Sequence, residues 1–157
     1  MKWRIALCAL LVLCQLTGCS AGGNTVRCKD LSLTLPADFM NLSQESYAED
    51  ADLYCGRTTL IVKGLAEEKA GLVDMTLGEF TDYVISSNKL TCAPTPTDYG
   101  FVFTYEATVG ETPYTYTTAT TEGETNFWII QCYCPSENAA ENNADIQSIL
   151  NSISHNR

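Results

Sequence analysis

Three strand-like segments follow one another closely between residues 99 and 135, and the last of them is apolar on both faces. Phe127 and Ile129 share one face of this strand. Trp128 and Ile130 share the other, because successive side chains of a strand point in opposite directions. A strand that is apolar on both sides predicts a sheet that is covered on both sides. The chain must therefore place packed layers against each face of this sheet.

The earlier half of the chain predicts two further strand regions. Residues 26–35 alternate between apolar and polar side chains, which predicts one strand that ends at Pro36. Residues 53–65 contain a second strand region around the continuous apolar run at 60–62.

Two amphipathic helices complete the expected elements. Thr76 and Glu79 have the spacing of a capping box, in which each side chain bonds the backbone N–H of the other residue. A helix is therefore expected from there to about Ser87. A closing helix is expected over residues 143–154, where the apolar positions repeat with helical spacing: Ile146, Ile149, Leu150 and Ile153. With the strands, these helices predict an α+β domain.

The order of these elements resembles that of the PsbP-like family. The resemblance is carried by the strand at 33–36, the helix start at 76–80, the aromatic strand at 127–132 and the helix end at 149–153. That family includes the photosystem II extrinsic protein PsbP, a nuclear Ran-binding relative and many small bacterial lipoproteins. The resemblance implies a single domain over residues 26–157, with an antiparallel sheet between helical layers in an α/β/α sandwich. It places no catalytic or ligand-binding residue on this chain, and a fold hosts many functions.

The first 18 residues predict export. Lys2 and Arg4 precede nine apolar residues at 5–13. A membrane-spanning helix needs about 20 apolar residues, so this run is typical of a signal peptide. The motif that follows indicates a lipoprotein signal peptide. An ordinary signal peptide and a retained membrane anchor are the alternatives.

Residues 16–19 read Leu-Thr-Gly-Cys, which resembles the lipobox of bacterial lipoproteins. In that motif a diacylglycerol is attached to the cysteine and the chain is cut before it. We therefore expect Cys19 to carry the lipid and residues 19–25 to form the lipidated cysteine and its tether. The domain would be anchored to the cell membrane or outer envelope and face away from the cytoplasm.

The charge of the processed chain restricts its partners. Loss of residues 1–18 removes Lys2 and Arg4, which leaves seven basic and 19 acidic residues, a net charge of −12 on 139 residues. A nucleic-acid-binding protein needs a basic face, so nucleic acid is excluded. The expected partners are the membrane, through the lipid, and another envelope protein or a small ligand.

Five cysteines remain in the exported domain: Cys28, Cys55, Cys92, Cys132 and Cys134. Exported domains meet an oxidising compartment, so two disulfides and one leftover thiol are expected. Cys28 and Cys134 lie at strand ends, which favours that pair. A redox pair at Cys132 and Cys134 and a metal site are alternatives, although this Cys-x-Cys lacks the helix start of redox motifs and a second close ligand pair. The single histidine, His155, lies near the C-terminus, where chains fray.

An acidic segment offers a further alternative. Glu45, Glu49, Asp50 and Asp52 could hold a divalent cation weakly through their oxygens, but they lack the spacing of a known calcium loop. A solvated acidic loop explains them better, and we expect no resident metal or cofactor.

Threonine and tyrosine crowd the strand at 114–121. Tyr114, Thr115, Tyr116 and Thr117 are the candidate interaction surface, because tyrosine supplies rigid contact area and threonine supplies hydroxyls. A polar strand at a sheet edge would also explain this composition. Because no catalytic constellation is present, the sequence predicts a non-catalytic binding or protein-interaction domain. Thiol redox chemistry and cation binding remain the alternatives.

Overall fold

The structure is a computed structural model that describes residues 23–43 and 50–155. The expected signal peptide, Cys19, Glu45 and Glu49 lie outside these residues. The helices and strands in chain order are β1 (Asn24–Cys28), β2 (Leu31–Leu35), β3 (Met40–Asn41), β4 (Leu53–Arg57), β5 (Leu60–Glu68), α1 (Leu77–Ser87), β6 (Thr95–Thr97), β7 (Gly100–Val109), β8 (Thr112–Glu122), β9 (Asn126–Pro135), α2 (Ala139–Asn151) and β10 (Ser154–His155).

Two antiparallel sheets and the two helices form the layers of the domain. The main sheet has seven strands in the order β3-β4-β5-β9-β8-β7-β6, and a small sheet has the order β1-β2-β10. Helix α1 packs on one face of the main sheet, while α2 and the small sheet pack on the other. The α+β class and the antiparallel sheet between layers are therefore confirmed. The small sheet is an addition that the sequence did not predict.

Each face of β9 faces its own hydrophobic core, as its apolar pattern predicts. Trp128 and Ile130 are fully buried in the core formed with the small sheet and α2. Phe127 lies in the core beneath α1, where its ring stacks on Phe80 with centroids 4.8 Å apart. Strand β9 contributes side chains to both cores, so its position depends on the packing of both layers.

Residues 26–35 form a hairpin rather than the single strand that their alternation predicts. The chain reverses at Lys29 and Asp30, and Lys29 has a positive φ of 50°. The predicted apolar face is nevertheless correct, because Leu31, Leu33 and Leu35 are all buried in β2. A period of two cannot reveal such a reversal, because both strands of a hairpin alternate in the same way.

The start of α1 agrees with the predicted capping box, whereas the bounds of α2 differ from the predicted ones. The Glu79 N–H donates to Thr76 Oγ1 at 3.3 Å, and the Thr76 N–H donates to Glu79 Oε2 at 2.8 Å. These bonds lower the pKa of the exposed Glu79 carboxyl. Helix α2 begins at Ala139, earlier than expected, and ends at Asn151, since the chain then enters β10.

The carboxylate of Asp30 joins the two sheets at one end of the domain. It accepts hydrogen bonds from Trp128 Nε1 at 2.8 Å and from the backbone N–H groups of Thr125 and Asn126 at 2.9 and 3.2 Å. The Asn126 side chain donates to it at 3.0 Å. Burial opposes ionisation, but these hydrogen bonds prevail and hold the pKa of Asp30 well below its usual range.

Replacement of Asp30 should therefore destabilise the domain. In Asp30→Asn, one oxygen becomes an NH₂ group that faces N–H donors, and we expect the free energy of unfolding to fall by about 2–3 kcal/mol. Urea denaturation of the processed protein, followed by Trp128 fluorescence, measures this change. Asp82→Asn on the exposed surface of α1 removes the same charge and should change stability by less than about 0.5 kcal/mol.

The effect of Asp30→Asn should also depend on pH. Because the folded-state pKa of Asp30 is lowered, its contribution is complete above the ordinary aspartate pKa of about 4 and decreases as the pH falls below it. The stability gap between wild type and variant should therefore narrow on acidification. A gap that stays constant below that pH would contradict an ionised Asp30 as the stabilising group.

Candidate functional site

The candidate surface on β8 divides between the two faces of the main sheet. Tyr114 and Tyr116 lie on the face that carries α1, whereas Thr115 and Thr117 lie on the opposite face, since side chains alternate along a strand. Strand β8 lies between β7 and β9, so the interpretation of its polar composition as an edge strand is wrong. Thr120, for example, is buried and its hydroxyl lies 2.7 Å from that of Thr81 on α1.

Tyr114 and Tyr116 belong to a larger cluster that we call the tyrosine face: Tyr54, Tyr105, Tyr114, Tyr116 and Tyr133. Tyr105, Tyr116 and Tyr133 are cross-strand partners on β7, β8 and β9. Their rings stack in a row, with centroids 4.9 and 5.0 Å apart and interplanar angles of 1° and 22°. The sequence shows that Tyr105 and Tyr133 alternate with core residues, but only strand register brings them beside Tyr116.

The ends of the row are also held in place. The hydroxyls of Tyr54 and Tyr133 lie 2.6 Å apart, and the ring of Tyr114 meets that of Tyr133 edge-on at 6.3 Å. At the other end, Gln131 Nε2 donates to the Tyr105 hydroxyl at 3.0 Å. Stacking and hydrogen bonding therefore fix the rings before any partner arrives.

Helix α1 covers only part of this face. Of the five tyrosines, Tyr105 alone packs against the described hydrophobic core beneath α1. Met40 and Val109 continue the same face toward the sheet margins and are 63% and 58% exposed. The part of the face beyond α1 is therefore aromatic and apolar: Tyr114, Tyr116 and Tyr133 are half-buried there, and Tyr54 is buried.

The hydroxyls of Tyr105, Tyr116 and Tyr133 stay protonated at physiological pH. Burial raises the pKa of Tyr105, Tyr116 and Tyr133, and the hydrogen bond with Tyr54 raises that of Tyr133 further. Neutral hydroxyls can both donate and accept hydrogen bonds. Because the flat ring faces stack on one another, the row offers ring edges and hydroxyls to a partner rather than an open stacking platform.

Known proteins share the shape of this chain but little of its sequence. The sequence matches no protein-family profile and no curated protein. The structure is similar to cyanobacterial PsbP (CyanoP) from Synechocystis sp. PCC 6803, with a TM-score of 0.62, 11% identity and coverage of 93% of this chain and 99% of that one. The chain has the PsbP-like fold.

Two other solved structures are similar to this chain to different degrees. A protein from Bacteroides thetaiotaomicron VPI-5482 matches the PsbP-like domain with a TM-score of 0.62 and 10% identity over 88% of this chain, which spans only 50% of that protein. LpqN, involved in cell envelope biogenesis of Mycobacterium tuberculosis, matches with a TM-score of 0.49 and 10% identity over 86% of each chain.

The five cysteines of the PsbP-like domain all carry free thiols in the structure. The expected bridges are therefore not formed in it. Cys28 Sγ instead donates to the backbone carbonyl of Asp52 at 3.3 Å. The pairing of Cys28 with Cys134 in an oxidising compartment stays a prediction.

The Cys132 and Cys134 thiols share one face of β9, as predicted, and that face is the closed core beneath α2. Both are buried. Burial raises the pKa of Cys132 to about 12 and also raises that of Cys134. A thiol must ionise to act as a nucleophile, so this position disfavours redox chemistry.

Asp52 and His155, two of the residues considered as metal ligands, make contacts with other protein groups. Asp52 pairs with Lys29 Nζ at 2.6 Å and accepts from the Ala66 N–H at 2.8 Å. His155 is ordered rather than frayed: it pairs with β2, and its Nε2 lies 2.8 Å from Thr121 Oγ1. Within residues 23–43 and 50–155, no group of three or more His, Cys, Asp or Glu side chains could hold a metal, and no helix is long and apolar enough to cross a membrane.

Thiol labelling should follow this burial pattern. In the native protein, a maleimide should react first with the half-buried Cys28 and Cys92 and should leave Cys132 and Cys134 unmodified until denaturant is added. Peptide mass spectrometry over time measures each site. Rapid labelling of Cys132 at neutral pH would contradict a closed core around β9 and would revive the redox alternative.

Proposed function

We propose that this protein is a lipid-anchored, extracytoplasmic, non-catalytic binding domain that contacts a partner protein through the tyrosine face. The observation that carries the proposal is the row of stacked, half-buried tyrosines that runs across the main sheet from the edge of α1. Tyrosine is enriched at protein interfaces because one ring gives apolar contact area and a hydroxyl together. Rings that are already fixed lose little conformational entropy on binding.

The path of the chain supports a partner at the membrane surface. Strand β1 starts at Asn24, opposite Leu35, and β2 runs toward Asp38, which pairs with Arg57 at 3.2 Å. Arg57 also bonds Asp145 of α2, which follows the end of β9. The N-terminus therefore leaves from the end of the sheet that carries Tyr114, the cross-strand partner of the last residue of β9.

A short tether would keep this end close to the bilayer. Residues 20–23 between the expected lipid and β1 span at most about 14 Å when extended. A partner that reaches the tyrosine face would then itself be an envelope protein at or in the membrane. The buried thiols and the paired carboxylate of Asp52 favour this reading over redox chemistry or cation binding.

Loss of two tyrosines should weaken the capture of a partner protein. We expect Tyr114→Ser combined with Tyr116→Ser to weaken binding at least about tenfold, since interface tyrosines often contribute 1–2 kcal/mol each. The measurement is cross-linking in the native envelope with the lipidated chain, quantified by mass spectrometry. The matched control is Tyr83→Ser, which removes an exposed tyrosine from α1 and should leave capture unchanged.

The experiment must distinguish a variant that has lost the binding surface from a variant that no longer folds. Denaturation midpoints of the variants are compared first, and Tyr54→Phe serves as a milder variant that removes one hydroxyl from the face and keeps the ring. Proteins captured equally by the wild type and the folded double variant are not partners of this surface. If every protein is captured equally by the wild type and by the folded double variant, the proposal is wrong.

The anchor is tested independently at Cys19. Cys19→Ser removes the thiol that would form the thioether, so the protein should leave the membrane fraction and lack the diacylglycerol mass on its N-terminal peptide. Cys14→Ser changes a cysteine within the expected signal peptide and should leave processing intact. An unmodified Cys19 in mature wild-type protein would exclude the lipid anchor without affecting the argument for the tyrosine face.

A further inference from the structure

A cavity of about 900 Å³ opens at the end of the sheet opposite the proposed tether. It lies where the turn between β6 and β7 meets the start of α1 and β10. Leu77, Phe101 and Ile153 provide apolar walls, and Tyr99 lies beside them. This size is within the range of small-molecule sites, which combine apolar walls with a few polar groups.

The walls of the cavity are fixed by close backbone contacts. Gly100 has a φ of 139°, and a Cβ atom there would collide with the carbonyl oxygen of Thr120. On the facing wall, His155 is held by Thr121, while its Nδ1 is buried and lacks a hydrogen-bond partner among the described residues. The cavity therefore has defined walls and retains an unsatisfied polar atom in one of them.

The charged residues around the cavity favour a ligand of one charge sign over the other. Asp98 is exposed at the turn, and Glu122 lies on the β8 side, where Lys69 Nζ pairs with it at 2.7 Å. None of the described residues that line the cavity is Lys or Arg. Because Lys69 neutralises Glu122, Asp98 is the carboxylate in the wall that would repel an anionic ligand and attract a cationic one.

The aromatic walls add a second preference for a cation. Tyr99 and Phe101 both line the cavity and are half-buried, and aromatic rings attract ammonium groups, most of all the weakly hydrated quaternary ones. We propose that this cavity binds a small organic cation with an apolar body, of the quaternary ammonium or alkylamine class. This site is separate from the tyrosine face and goes beyond the proposed protein partner.

The test compares choline with the neutral alcohol in which carbon replaces its ammonium nitrogen. The full processed chain, in micelles of an uncharged maltoside detergent, is titrated with each compound, and backbone amide NMR shifts are recorded. We expect choline to shift the amides of residues 97–101, 121–122 and 153–155 in a saturable way. The neutral alcohol has the same shape and should bind more weakly by about two- to fivefold.

Two substitutions separate local recognition from overall charge. Asp98→Asn should weaken choline binding by about two- to fivefold, while Glu111→Gln, which removes the same charge at the turn between β7 and β8, should have no effect. Tyr99→Leu should weaken choline binding and leave the neutral alcohol unchanged.

Three outcomes would overturn the proposal. The first is the absence of saturable shifts at the cavity, and the second is equal affinity for choline and the neutral alcohol. The third is equal weakening by Asp98→Asn and Glu111→Gln, which would reduce the effect to net charge. Amide shift dispersion in each variant confirms that the fold is retained, so each result decides the question.

Discussion

The carboxylate of Asp30 is the interaction on which the arrangement of the two sheets depends. It lies in the turn between β1 and β2, yet its donors come from the start of β9 in the main sheet. By accepting these bonds it fixes β2 over Trp128 and Ile130 and so closes the core that α2 shares. Gly123 is required for this contact, because a Cβ atom there would collide with the carboxylate.

A second polar contact fixes the other end of the same layer. Arg57 at the end of β4 bonds Asp145 and Asn142 of α2 at 2.6 and 2.7 Å, and its guanidinium lies 5.5 Å from the centre of the Phe39 ring. The layer behind the main sheet is thus held at both ends. Among the described residues, the opposite face carries α1 together with flanking residues such as Leu72, Leu90 and Cys92, and the tyrosine face lies beside them.

How much of this arrangement the sequence predicts depends on the range of each interaction. The capping box at Thr76 and Glu79 and the two-sided burial of β9 involve neighbouring residues, and both are predicted correctly. The reversal at Asp30 depends on donors about 95 positions away, and no local pattern contains that information. The row formed by Tyr105 and Tyr133 beside Tyr116 likewise depends on strand register, so sequence reasoning found one strand of the site and placed it wrongly at an edge.

Charge and tether length together define where a partner can fit. With the expected signal peptide removed, the chain would carry a net charge of −12, and repulsion from anionic headgroups would favour an extended tether over direct contact of the domain with the bilayer. Tyr114 of the tyrosine face lies at the end of the main sheet toward which the start of β1 points, and the face itself is mostly uncharged. The expected tether joins β1, which belongs to the small sheet on the side of the main sheet opposite the tyrosine face. Its reach of about 14 Å would therefore keep the domain near the bilayer while leaving the tyrosine face on the other side of the main sheet.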